Sequence, residues 1–139
     1  MEPKRLRYLL LPVITLVLEL LPYGAVCNFA RPEGEPFRKT FSYFDPVPFG
    51  YANFAPFLTA ILTCAIAVLL VSFLFSGSTR VARVATVLSL AATVLSLCPL
   101  LLGIRFYSVV GGLISLTLLA ETVFLYAGTV KGCEPKSEI

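Results

Sequence analysis

Histidine and tryptophan are absent from this 139-residue sequence, and only 14% of its residues are charged. Without histidine the chain lacks the usual general base and metal ligand, which excludes most hydrolase triads and most zinc sites. The charged fraction is well below the roughly 25% that is typical of soluble domains. The net charge of +3 comes without a basic run long enough to indicate nucleic-acid binding.

Long apolar segments take the place of charge, and 58% of the residues are hydrophobic. A transmembrane helix needs about 20 such residues, because each residue adds about 1.5 Å toward roughly 30 Å of hydrocarbon. Two segments meet this length directly, at about residues 9–29 and 55–75. A third apolar stretch, 84–127, is about twice as long as a membrane crossing requires and must fold back on itself. Pro99, Gly103 and Arg105 place the turn, which predicts spans at about 84–103 and 106–127.

The sequence therefore predicts an all-α membrane protein with four transmembrane helices in a single domain, residues 1–139. Lys and Arg residues indicate its orientation, since they concentrate on the cytoplasmic side. Seven of the 11 fall on the side of the termini and four on the other side, so both termini are expected to be cytoplasmic. A cleaved signal peptide is the alternative for the first segment. Val26 before Cys27, and Glu19 and Pro22 inside the apolar stretch, favour a retained span.

The predicted outer loop between the first two spans, residues 30–54, is rich in proline and aromatic residues. Such rings leave large apolar areas in water unless they lie on something. We expect the loop to rest at the membrane interface or as a lid over the outer helix ends. The alternation of aromatic residues around Asp45–Pro48 also allows a short hairpin turn there, although prolines disfavour it. The loop could serve as an interfacial cap without chemistry or as a partner or ligand surface.

Glu19 is the most informative residue, because a charged group at mid-depth in a membrane costs about 2–3 kcal/mol on insertion scales. It is expected to face the interior and to be protonated where no water reaches it. Thr15 and Tyr23 are one turn away on either side, so Thr15, Glu19, Tyr23 and Cys27 would form one polar stripe on a continuous helix. This stripe is a candidate proton or ligand site, and the alternative is a neutral carboxyl that serves packing alone.

Glu121, in the fourth predicted span, is the second candidate. It lies about six residues from the cytoplasmic end, shallow enough to snorkel or to pair with Arg80 or Arg83. The sequence therefore gives Glu121 a smaller functional weight than Glu19.

None of the four cysteines belongs to a CxxC pair, which excludes thioredoxin-like and zinc-ribbon sites. Cys27 and Cys98 fall near the outer ends of their predicted spans, so either a disulfide or two small apolar fillers is consistent with the sequence. Cys64 is expected to be buried at mid-membrane, and Cys133 lies in the tail.

Small residues mark the expected helix contacts. Those of the third span recur on one face, and those of the fourth include two adjacent glycines: Ala85, Ser89, Ala92 and Ser96, and Gly111 with Gly112. Close backbone approach is what membrane helices use to associate. Spans three and four should therefore form a tight antiparallel pair, and the same faces could also support a homo-oligomer.

Two function classes remain open. The favoured one is a structural or accessory subunit without catalytic activity, whose partner covers the aromatic loop. The alternative is a small proton-coupled transporter or channel that uses Glu19. An enzyme is least favoured, because the sequence lacks a nucleophile–base pair, a phosphate loop and a metal cluster; we expect no cofactor and no metal. The expected partners are the lipid bilayer and a membrane protein or second copy. Small size and the lack of an N-x-S/T site in the loop favour a bacterial cell membrane.

Overall fold

Helices make up most of this chain, in a computed structural model that describes residues 6–30, 34, 37–50 and 53–131. The elements in chain order comprise five helices and a two-stranded sheet: α1 (Leu10–Leu20, after a 3₁₀ turn Arg7–Leu9), β1 (Ala25–Phe29), β2 (Phe37–Phe41), α2 (Pro46–Gly50), α3 (Ala55–Ser76), α4 (Thr79–Leu101, followed by a 3₁₀ turn Ile104–Phe106) and α5 (Val109–Lys131).

Three of these helices are long and apolar enough to cross a membrane: α3, α4 and the Val109–Thr129 part of α5. α3 begins at the first residue expected for the second span and ends at Ser76. α4 ends two residues after Pro99, and Gly103 takes a positive φ of 119° before the next turn, so the chain reverses where the sequence indicated. These helices are consistent with an integral membrane protein.

The first predicted span differs most from the structure, because α1 ends at Leu20 instead of continuing to Phe29. Leu21 is extended, with φ −66° and ψ 137°, as expected for a residue that precedes a proline, here Pro22. The apolar residues that follow the proline form a strand. Span length alone could not reveal this change, since an apolar strand and an apolar helix turn have the same composition.

The β-hairpin lies earlier in the chain than the sequence suggested. β1 and β2 are antiparallel, with Ala25 opposite Phe41 and Phe29 opposite Phe37. The hairpin turn that the sequence allowed at Asp45–Pro48, although its prolines disfavoured it, does not form, since Pro46 instead begins the short helix α2. The Asp45 carboxylate accepts the Val47 backbone N–H at 2.9 Å, as at a helix N-terminus.

The four longer helices form a bundle in which α1 packs on α3 and α5, α3 on α4, and α4 on α5. The small-residue face predicted for α4 is confirmed, because all four of its members are buried: Ala85, Ser89, Ala92 and Ser96. Ser89 Oγ lies 2.8 Å from Thr122 Oγ1, and Ser115 Oγ donates to the Ser96 carbonyl at 3.4 Å. Hydroxyl groups thus join α4 to α5 where their backbones approach.

Contacts at the two ends show that α1 runs antiparallel to α5. At one end the Tyr8 ring packs on Phe124, with centroids 4.8 Å apart; we call this the Tyr8 end. At the other, the hairpin end, Ser108 Oγ donates to the Gly24 carbonyl at 2.6 Å. Large apolar side chains are exposed on the outside of the bundle, among them Val68, Phe75, Val87, Leu116 and Val123, as contact with lipid requires.

Candidate functional site

Glu19 is completely buried between helices, as the sequence predicted for an acid in an apolar segment. Its Oε1 accepts a hydrogen bond from Thr63 Oγ1 of α3 at 2.8 Å. Its Oε2 is buried without a hydrogen-bond partner. One carboxyl oxygen therefore keeps an unused acceptor in the interior of the bundle, an arrangement that is costly in an apolar environment.

A pair of threonines lies one helical turn from Glu19. Thr15 Oγ1 of α1 donates to Thr117 Oγ1 of α5 at 3.0 Å, so α1 is joined through its polar face to α3 by Glu19 and to α5 by Thr15. The sequence had placed Thr15 at the site. Thr63, the partner of Glu19, and Thr117, the partner of Thr15, were missed. A threonine in a membrane helix has the same local pattern whether it faces lipid or the core.

Glu121 is also buried, with only 1% of its surface exposed. Neither of its carboxyl oxygens has a hydrogen-bond partner, whereas Arg80 and Arg83 are exposed. The expectation that Glu121 snorkels or pairs with one of these arginines is therefore wrong. The face of α5 that carries Glu121 packs toward α1 and α4. The Glu121 carboxyl therefore lies in the core, although the residue is close to the end of the helix.

The two acids lie on opposite sides of the threonine pair. Glu19 is one turn from Thr15 toward the hairpin end, and Glu121 is one turn from Thr117 toward the Tyr8 end, an axial distance of about 6 Å each way. Helical side chains tilt toward the N-terminus of their own helix, and α1 and α5 are antiparallel. The carboxyls therefore lean toward each other.

The rest of the predicted polar stripe is not at this site. Tyr23 lies beyond the end of α1 and is 59% exposed, and Cys27 is buried in β1. Cys27, Cys64 and Cys98 are free thiols, so the structure does not show the disulfide that the sequence left open. Cys64 is exposed on the bundle surface rather than buried, which corrects that prediction. Cys133 lies outside the described residues.

Tyr43 closes the hairpin end of the polar core and was not singled out by the sequence. Its backbone N–H and the Ser42 hydroxyl both donate to the Glu19 carbonyl, at 3.0 and 2.8 Å. Its ring is buried against Gly24, where a Cβ atom would lie 2.8 Å from the ring. Burial, with a smaller contribution from nearby Tyr107, raises the pKa of the Tyr43 hydroxyl. In the sequence, Gly24 was the local feature that could have indicated this close contact, because a residue without a Cβ atom lets another group approach the backbone.

A cavity of about 120 Å³ lies at the Tyr8 end. Its lining combines aromatic, small and hydroxyl-bearing residues from the ends of four helical segments: Tyr8, Phe73, Gly77, Thr79, Ala82, Leu125, Gly128 and Thr129. Leu125 and Gly128 follow Glu121 at intervals of four and seven residues, so all three share one face of α5. The cavity therefore lies in line with the buried acids.

The described residues contain no group of three or more His, Cys, Asp and Glu side chains that could hold a metal ion. No protein-family model matches the chain, and neither a curated protein nor a solved structure matches it. The functional argument therefore rests on the geometry of the buried carboxyls.

Proposed function

We propose that this chain is a small integral membrane protein that takes up and releases protons inside its helix bundle, as a proton-coupled transporter or channel. The observation that carries the proposal is the pair of buried acids, Glu19 and Glu121, whose carboxyls have three unpartnered oxygens between them. The hydrogen-bonded pair Thr15 and Thr117 lies between them. An acid inside a membrane bundle is by default a functional group.

Packing alone is a poor reason for this arrangement. Hydroxyl pairs such as Ser89 with Thr122 already join the helices, and a second acid adds a desolvation cost without a hydrogen bond in return. A carboxyl that alternates between its charged and neutral forms provides what threonine cannot, namely a site where a proton binds and leaves. The buried pair thus supports the transporter or channel over the structural role.

We propose that α1 is the fourth membrane-crossing helix, with the hairpin at its outer end. The helical residues 6–20 reach about 22 Å at 1.5 Å per residue, less than the roughly 30 Å hydrocarbon core. The mainly apolar strand β1 would complete the crossing while it is packed against protein, where non-helical backbone is tolerated. The seven-to-four division of Lys and Arg supports cytoplasmic termini in a bacterial cell membrane.

The test is proton flux through proteoliposomes, combined with proton uptake by the purified protein after a pH jump. Glu19→Gln and Glu121→Gln preserve shape but remove titration, so each should abolish flux while the protein stays folded. Asp45→Asn is the matched control, because Asp45 lies in the loop before α2 and should leave flux unchanged. Wild-type flux no greater than that of empty liposomes, with uptake unaffected by either Gln variant, would contradict the proposal.

A second candidate function, the accessory subunit, is favoured by a different observation. Phe37, Phe49 and Phe54 are each about half exposed at the hairpin end. Clustered aromatic rings are typical of contact surfaces as well as of the membrane interface. If a partner covers them, purification in mild detergent should retain a stoichiometric membrane protein that Phe49→Ser releases and Glu19→Gln does not.

A further inference from the structure

We propose that, in the conformation of this structure, protons reach the buried acids from one end only, through the cavity at the Tyr8 end, and that Tyr43 seals the hairpin end until it moves. This inference rests on the proposed function, because it names the route by which Glu121 and Glu19 exchange protons. In this arrangement Glu121 is the entry group and Glu19 the inner group.

The cavity is large enough to hold water. A water molecule needs about 10–15 Å³ of such space and two to four polar partners, and the cavity has about 120 Å³. Three of the residues that line it, Tyr8, Thr79 and Thr129, carry hydroxyl groups. Thr79 is exposed, so the lining reaches the surface at that point.

On α5 the cavity lies next to the helical turn that carries Glu121. Leu125 lines the cavity and lies one turn from Glu121 on the same face of α5. Arg7, Arg80 and Arg83 are exposed at this end of the bundle. Glu121 does not itself line the cavity, so a proton from a hydronium ion in the cavity would pass the Leu125 side chain through an intervening water molecule to a Glu121 carboxylate oxygen, and neutral water would remain.

The hairpin end is closed by contacts that fix Tyr43. Tyr43 is only 1% exposed. Its ring lies over Gly24, and its hydroxyl would be 3.4 Å from a Cβ atom at Gly111. The Tyr43 backbone N–H and the Ser42 hydroxyl both donate to the Glu19 carbonyl. Tyr43 is also close enough to Glu19 to interact with it electrostatically. Glu19 can therefore reach water at this end only if Tyr43 moves.

Deuterium exchange of the two carboxyl protons tests the route directly, because the probe is water itself. The measurement is infrared spectroscopy of the purified full chain in nanodiscs, transferred into D₂O at acidic pH, where both carboxyls carry a proton. Glu19→Gln and Glu121→Gln assign the two carboxyl bands. We expect the Glu121 band to exchange faster than the Glu19 band.

Ala82→Leu places three more carbons in the cavity and should slow exchange of the Glu121 proton by about tenfold or more, since exchange would then require a local opening of the bundle. Ala91→Leu makes the same change on an exposed face of α4. In this variant the Glu121 proton should exchange at the wild-type rate. If Ala82→Leu does not fold, Ala82→Val makes a smaller change of the same kind. Tyr43→Ala should accelerate exchange of Glu19 and leave Glu121 unchanged.

Equal exchange rates in Ala82→Leu and Ala91→Leu would overturn the cavity route, and a Glu19 rate unaffected by Tyr43→Ala would overturn the seal. These outcomes are separate from the fate of the proposed function. Cavity-dependent exchange without proton flux in liposomes would leave the route intact and reject the transporter. Proton flux that requires both acids, together with carboxyl exchange that Ala82→Leu does not slow, would reject the cavity route and leave the transporter intact.

Discussion

Glu19 links the core to the hairpin through two different parts of one residue. Its side chain accepts a hydrogen bond from Thr63, and its backbone carbonyl accepts from Ser42 and Tyr43. The carbonyl is available because α1 ends one residue later, which leaves the last carbonyls of the helix without intrahelical partners. A movement of the segment that contains Ser42 and Tyr43 would therefore shift the position of Glu19.

Tyr43 should make the protein sensitive to alkali. The folded-state pKa of its hydroxyl is raised by burial, so the stability it contributes is present below the unfolded pKa of about 10 and is lost as the pH rises above that value, by up to about 1.4 kcal/mol per pH unit. Tyr43→Phe should flatten the fall in melting temperature between pH 9 and 11, measured by circular dichroism in detergent. The melting temperature of Tyr23→Phe, a change at an exposed position, should fall with pH as that of the wild type does. An identical fall in the melting temperature of Tyr43→Phe would contradict the argument.

At the scale of the elements, α4 and α5 approach through hydroxyls and small residues, but the two adjacent glycines of α5 differ. A Cβ atom at Gly111 would lie 3.2 Å from Ser108 Oγ and 3.3 Å from the Gly24 carbonyl. At Gly112 it would meet only the Tyr107 ring, at 3.6 Å. Gly111 is therefore the position of close approach, and it serves the contact with Gly24, which lies between α1 and β1, and with Tyr43 rather than the contact with α4.

Gly112→Ala should stabilise the folded protein by about 0.5–1 kcal/mol, because alanine loses less backbone entropy in a helix than glycine does. Gly111→Ala should lose that gain and be at least about 1 kcal/mol less stable than Gly112→Ala, since Ser108 and Gly24 must move to admit the methyl group. Thermal unfolding of the two variants in the same detergent measures the difference. Equal stability would show that the space around Gly111 relaxes freely.

At the scale of the whole molecule, the orientation in the membrane can be tested with single cysteines in a variant that lacks the four natural ones. Val47→Cys lies on the exposed surface of α2, and Thr79→Cys lies at the exposed start of α4. Because Lys and Arg residues favour cytoplasmic termini, a membrane-impermeant thiol reagent should label Val47→Cys in intact cells and Thr79→Cys only after permeabilisation. The opposite pattern would reverse the orientation.

The sequence by itself determined the three long helices and the reversal near Gly103. Both depend on local properties, namely the length of an apolar run and the places where proline and glycine interrupt it. The burial of Glu19 was also predictable, since an acid in an apolar segment has few alternatives to facing inward. The small face of α4 followed from the spacing of Ala85, Ser89, Ala92 and Ser96.

Only the tertiary structure decided which faces meet. Lipid and protein interior are equally apolar, so the residues of a membrane helix do not show which side is covered; for this reason Cys64 was misplaced and Thr63 and Thr117 were missed. The sequence also left β1 inside the first span, because strand formation depends on pairing with the distant β2. The facing of Glu121 toward Glu19 and the seal at Tyr43 depend on contacts between segments far apart in the chain, which no local pattern encodes.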